Sequence, residues 1–159
     1  MRAPGRLQRE IRQRRPFQSP AHEAVLGLLR TTDRLRRQLA ARIEPRGITM
    51  QQFNVLRILR GAGQDGLPTL EVADRMIEQT PGVTRLLDRL EAKTLVRRER
   101  CPHDRRQHLC WITEAGLALL APLDRELATA NDEALKGLSA AQRTSLITLL
   151  DAIRAAHEP

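Results

Sequence analysis

Apolar side chains in this chain change their period twice, and that change constrains the fold more than any other feature. Helical spacing governs the chain from Ser19 to the low nineties. From Leu95 to Thr113 it gives way to two short strand-like runs, and from Thr113 onward it returns. Ser19-Pro20 is a helix start, with Val25, Leu28, Leu29, Thr32, Leu35, Leu39 and Ile43 as its stripe, ending near Arg42 before Pro45 and Gly47. Thr49 and Gln52 form a capping box for a helix over about 50–60, with Ile48 and Phe53 in the staple positions and Gly61 and Gly63 as the stop. Pro68-Thr69 opens a short third helix carrying Leu70, Val72, Ala73 and Met76. After about three residues, Thr80-Pro81 opens a fourth with Val83, Leu86, Leu87 and Leu90 inside and Gly82, Thr84, Arg85, Asp88 and Arg89 outside. Leu95–Cys101 and His108–Thr113 read as a β-hairpin around Pro102–Gln107. Thr113 starts a long helix, kinked at Pro122, with Leu117, Leu120, Leu123 and Leu127. Ser139 and Gln142 cap a last one with Leu146, Ile147, Leu149, Leu150 and Ile153.

The predicted fold class is therefore mainly α: a winged helix-turn-helix with a β-hairpin wing, flanked by N- and C-terminal helices. The predicted organisation is a basic arm over 1–20, flanking helices over 21–48 and 114–159, and the winged part over 49–113. The flanking helices are more apolar on one stripe than so small a central domain can cover, which points to a homodimer through residues such as Leu28, Leu35, Leu146 and Leu150.

Composition narrows the function. The only aromatics are Trp111, Phe17 and Phe53, so the core is aliphatic and stacking platforms for single-stranded or RNA bases are nearly excluded. The longest stretch without a charged residue is ten residues, Gly47 to Leu56, too short for a membrane span. The net charge is +8 and unevenly spread: residues 1–21 carry +5, 22–113 carry +6 and 114–159 carry −3. A basic front with an acidic C-terminal third suits a polyanion on one face and something else on another. Arg2 to Arg15 form a basic leader that could become a short helix on contact with a partner and is by default a flexible arm able to touch phosphates. No nucleophile sits with a base, no Gly-rich loop cradles phosphate and no paired carboxylates share a site, so neither an enzyme nor a cofactor is expected.

The run Val83-Thr84-Arg85-Leu86-Leu87-Asp88-Arg89-Leu90-Glu91-Ala92-Lys93 followed by Leu95-Val96-Arg97-Arg98 resembles the recognition helix and first wing strand of MarR-type (multiple antibiotic resistance regulator) transcriptional regulators. Asp104-Arg105-Arg106 is similar to the family's Asp-x-Arg wing motif, and Ile112-Thr113-Glu114-Ala115-Gly116 to its strand-to-helix junction. The likeness covers roughly 22–155. It implies a cytoplasmic, nucleoid-associated protein of a bacterium or archaeon. It also implies a homodimer that represses genes from pseudo-palindromic double-stranded DNA operators and releases them on binding a small phenolic or lipophilic effector. A ligand-independent or architectural DNA binder is the alternative, and a module that meets an acidic protein is a third. The family's Gly after Lys is Thr94 here, where a left-handed φ would cost a β-branched residue more than Gly.

The candidate DNA-contacting residues are Thr80, Pro81, Gly82, Thr84, Arg85 and Arg89 at the fourth helix, and Arg98, Asp104, Arg105 and Arg106 in the wing. Arg85 or Arg89 suits bidentate guanine readout, and Gly82 leaves room for close backbone approach. Wing arginines suit a narrow minor groove, with Asp104 holding Arg106 in pose. The bland reading is a solvated helix face on which Asp88 and Arg85 pair locally. Cys101 and Cys110 are expected on one face of the hairpin but diagonal, so inert thiols rather than a disulfide. His103, Asp104 and His108 make a weak metal trio. Trp111 is expected to pack at the wing–body junction or to lie half-exposed on its strand, and His22 is a candidate for a ligand cleft.

Overall fold

The computed structural model describes residues 5–79, 81–101 and 108–157. The chain divides into two compact units, Met1–Gln38 and Leu39–Pro159. This boundary cuts the first long helix at Gln38 and leaves the C-terminal helices in the same unit as the winged part.

In the first unit the leader is not wholly an open arm. A short helix, α1 (Arg6–Glu10), is closed by Arg12 in the left-handed region at φ 54°, where the Gln13 N–H donates to the Gln8 carbonyl at 3.0 Å. Leu7 lies over Gly27, where a Cβ would stand 3.9 Å from it. The second helix, α2 (Pro20–Ile43), begins as the sequence predicts: the Ser19 hydroxyl accepts from the His22 N–H at 3.1 Å, and Pro20 supplies the first turn.

In the second unit a 3-10 turn (Glu44–Arg46) ends at Gly47, φ 77°, and leads to α3 (Met50–Ala62). Its capping box is formed in both directions, and the staple residues Ile48 and Phe53 are both buried. The helix runs through Gly61 and stops at Gly63. The sequence reading did not contain β1 (Leu67–Pro68), which two residues cannot announce by alternation. It pairs antiparallel with β3 (His108–Ile112), which in turn pairs with β2 (Val96–Arg100), giving the order β1-β3-β2. The helix α4 (Thr69–Asp74) follows β1 directly.

Two boundaries differ from the sequence reading. The helix-turn-helix connection is the eight residues 75–82, not about three, and α5 (Val83–Ala92) starts later than Thr80-Pro81. Gly82 has φ 96°. A left-handed residue cannot continue into a right-handed helix, so Gly82 sets the boundary and its small size serves the turn. Thr80 lies outside the described residues.

At its other end α5 closes in a Schellman motif. The Leu95 N–H donates to the Leu90 carbonyl at 3.0 Å and Thr94 to Glu91 at 2.8 Å. Thr94 has φ 59°, so the left-handed position anticipated there is real and is filled by a β-branched residue. The Thr94 carbonyl accepts from the Thr113 hydroxyl at 2.7 Å, and that hydroxyl accepts from the Gly116 N–H at 3.1 Å, capping α6 (Glu114–Ala134). A Cβ at Gly116 would stand 2.5 Å from the Leu95 carbonyl oxygen. The Thr-x-x-Gly junction is thus dictated by one crowded point where wing base, recognition-type helix and α6 meet. The helix α6 continues through Pro122.

The core is aliphatic, with Leu56, Leu59, Leu87, Leu90, Leu120 and Leu123 fully buried among α3, α5 and α6. Arg60 forks onto Asp124 at 2.6 and 3.0 Å, Arg46 meets Glu126 at 2.6 Å and Arg42 meets Glu133 at 3.2 Å, tying α6 to the helices before it. The hydrogen bond from Arg60 holds the Asp124 carboxyl below its usual range. The last helix, α7 (Ala140–Ala155), has its predicted capping box but no buried residue.

Candidate nucleic-acid interface

On α5 the spacing of apolar residues decides what faces out. Val83, Leu86, Leu87 and Leu90 are buried, so Thr84, Arg85, Asp88 and Arg89 are exposed by the same 3.6-residue period. Pro81 and Gly82, in the turn before it, are also exposed. Neither Arg85 nor Arg89 has a hydrogen-bond or ion-pair partner among the described residues. Arg89 borders a shallow depression of about 500 Å³ with Glu44, Ile48, Gln52 and Lys93. That depression lies at the C-terminal end of α5 rather than against α6.

Arg98, a candidate DNA contact in the sequence, is held within the protein. Its side chain is only 18% exposed, and it spans from β2 to α5. Nε donates to Glu91 at 2.9 Å, and Nη2 donates to Asp88 and Glu91 at 2.6 Å each. Asp88 therefore pairs with Arg98 and not with Arg85. The arrangement leaves two arginines on the outer face of α5 while the adjacent carboxylates are neutralised from behind. Arg100, the last residue of β2, is exposed, and the sequence reading did not single it out; its signal was the strand register leading into the turn. Lys93 is pinned to the Gly47 carbonyl.

The root of the wing is anchored by Trp111. Its indole N–H donates to the Gln64 carbonyl at 2.9 Å, its ring lies against Gly66 so closely that a Cβ there would come within 2.5 Å, and the Arg97 guanidinium stacks over it at 4.1 Å. This is the expected wing–body junction. Asp104, Arg105 and Arg106, with His103, lie outside the described residues.

The hairpin register is one residue from the expected one. Arg100 pairs with His108 and Arg98 with Cys110, where Cys101 was expected opposite His108. Alternation then takes Cys101 off the face that carries Cys110. Both cysteines are free; Cys110 is fully buried beside the Thr69 hydroxyl at 3.7 Å, and burial pushes its thiol pKa up. His22 is half-buried, edge-on to Phe17 at 5.8 Å between ring centres, with Nδ1 unpartnered. Among the described residues, no cluster of His, Cys, Asp or Glu could hold a metal ion, and no helix is long and apolar enough to cross a membrane.

Residues 48–108 match the MarR family. A MarR transcription factor of known structure from Planctomyces limnophilus is 36% identical, with 86% of this chain covering 99% of that one at a TM-score of 0.67. The chain belongs to the MarR family. The HTH-type transcriptional regulator MhqR of Bacillus subtilis is 32% identical over 97 residues, 61% of this chain and 66% of MhqR. The BpsR structure from Bordetella bronchiseptica, described for regulation of its DNA binding by 6-hydroxynicotinic acid, is 26% identical. The match covers 83% of this chain and 98% of BpsR at a TM-score of 0.72. The fold of this MarR-family chain is accordingly the winged helix those regulators share.

Proposed function

We propose that this protein is a sequence-specific double-stranded-DNA-binding regulator acting in the cytoplasm as a homodimeric repressor of pseudo-palindromic operators. The observation that carries the reading is the division of labour on α5. Arg85 and Arg89 stand exposed without partners among the described residues, while Arg98 takes up the charge of Asp88 and Glu91. Arg85, in the first turn of the helix, is suited to base edges in the major groove, with Thr84 beside it. A small phenolic or lipophilic effector is proposed to release the DNA, supported by the ligand control described for BpsR.

Footprinting on the DNA around the protein's own gene tests this. One discrete pseudo-palindromic site is expected, and Arg85→Ala should cost ~1–3 kcal/mol on it and much less on scrambled duplex. Equal losses on both duplexes would remove Arg85 from base readout. Protection without a discrete site would favour the architectural alternative.

A further inference from the structure

The first unit lies outside the matched residues 48–108, yet it concentrates positive charge. Residues 5–38 hold nine arginines and no lysine against Glu10, Glu23 and Asp33. Two of the three acidic groups are engaged locally. Arg6 donates to Glu10 at 2.9 Å and Arg34 stands 3.9 Å from it, holding its carboxyl below the usual range; Arg37 donates to Asp33 at 2.6 Å. Arg12, Arg14, Arg15 and Arg30 are exposed; the first three have no hydrogen-bond or ion-pair partner among the described residues, and Arg30 adds to the attraction that lowers the Glu10 carboxyl.

The segment carrying three of those four is held in a fixed shape. Arg12 sits at φ 54°, a conformation that L side chains other than Asn or Asp seldom adopt. The Gln8 side-chain amide donates to the Gln13 and Arg15 carbonyls at 3.3 Å each, and the Gln13 amide donates to the Arg15 carbonyl at 2.9 Å. Three side-chain amide bonds thus organise the backbone of Arg12-Gln13-Arg14-Arg15 and leave its guanidiniums outward. A run kept only for solubility has no need of a fixed backbone. A set of cations preorganised for a regularly spaced polyanion gains from one, because the ordering cost is met before binding.

We infer that the Arg12–Arg15 turn is a second contact for the phosphate backbone of duplex DNA, supplied by residues other than those of the winged helix. It reads no sequence. Arginine suits the task, since its planar fork meets phosphate oxygens in pairs. The surface presumes the duplex-binding function proposed above, so the experiment keeps the two distinguishable.

The test measures the salt dependence of full-length protein binding to a labelled duplex carrying the footprinted site and to one of scrambled sequence. Arg12→Gln/Arg14→Gln/Arg15→Gln should flatten the slope of log affinity against log salt by up to ~2.7, about 0.9 per lost phosphate contact, equally on both duplexes. Arg12→Gly removes one charge while favouring the turn's own geometry, so it should lower the slope by up to ~0.9 without lowering the melting temperature. Gln8→Ala keeps every charge but releases the backbone, and should weaken binding to both duplexes. An unchanged slope in the triple variant, with parent binding intact, overturns the surface and leaves the proposed function standing. A parent that binds neither duplex overturns both. Loss of binding to phosphatidylserine vesicles with DNA binding unaltered also overturns it and assigns the turn to a membrane.

Discussion

Thr94 shows how one residue can be read correctly and still carry a cost. A β-branched side chain at φ 59° closes the Schellman motif of α5, with its hydroxyl turned onto the Lys93 carbonyl at 2.6 Å. The left-handed conformation costs an L residue ~1–2 kcal/mol, and glycine gives back ~0.5–1 kcal/mol of that in backbone entropy. Thr94→Gly should therefore stabilise the protein by about 0.5–1 kcal/mol, read as a rise in melting temperature at fixed protein concentration. A fall would mean that the hydroxyl contact outweighs the strain. The position was legible only through the family resemblance, which puts Gly there, because a Thr gives no sign of a left-handed backbone. Gly82 was less so: the sequence marks it as special but does not say whether its freedom serves a DNA approach or the helix boundary, and its φ of 96° assigns it to the boundary.

At the scale of elements, capping decided what could be read. The boxes at Thr49 and Ser139 and the caps at Ser19 and Thr113 are local hydrogen bonds, and all four lie where their spacing put them. The hairpin register and the two-residue β1 were not legible, because pairing partners are set by the tertiary position of the strands. Arg98 belongs with these. From sequence it is one more wing arginine, and only the register that aims it back at α5 makes it a link between helix and wing. That link carries a prediction. Arg98→Met leaves Asp88 and Glu91 unpaired beside the proposed DNA face, so affinity should fall on cognate and scrambled duplex alike. Stability should drop by about 1 kcal/mol, small because both carboxylates are substantially exposed. Arg98→Lys keeps the charge but not the fork, and should recover stability only in part. A salt slope lowered by a full contact in Arg98→Met, with stability unchanged, would instead make Arg98 a phosphate ligand.

For the whole molecule the decisive element is α7. It is 16 residues long, has no buried residue and still carries a complete apolar stripe. Leu146 and Leu150, the sequence-derived anchors, are half-buried within their own protomer, whereas Leu149 and Ile153 continue the stripe at 62% and 44% exposure, with Ile147 beside them at 61%. An isolated helix of that length is marginal in water, so something must cover the stripe. On α2, Val25 and Leu29 are likewise exposed. A second copy is the simplest cover, since one two-fold axis would bury the same residues of both chains and present two recognition helices to a pseudo-palindrome. The interface should exceed ~1,000 Å² and be mostly apolar. Leu149→Asp and Ile153→Asp together place carboxylates in it and should give a monomer by sedimentation at micromolar concentration. They should also abolish the rise of melting temperature with protein concentration expected of the parent. On DNA the loss should be conditional: affinity for the full operator falls steeply, while affinity for an isolated half-site changes little, because α5 is untouched. A parent that sediments as a stable folded monomer would end the dimer reading. A monomeric variant that binds the full operator as tightly as the parent would show that dimerisation does not supply the affinity.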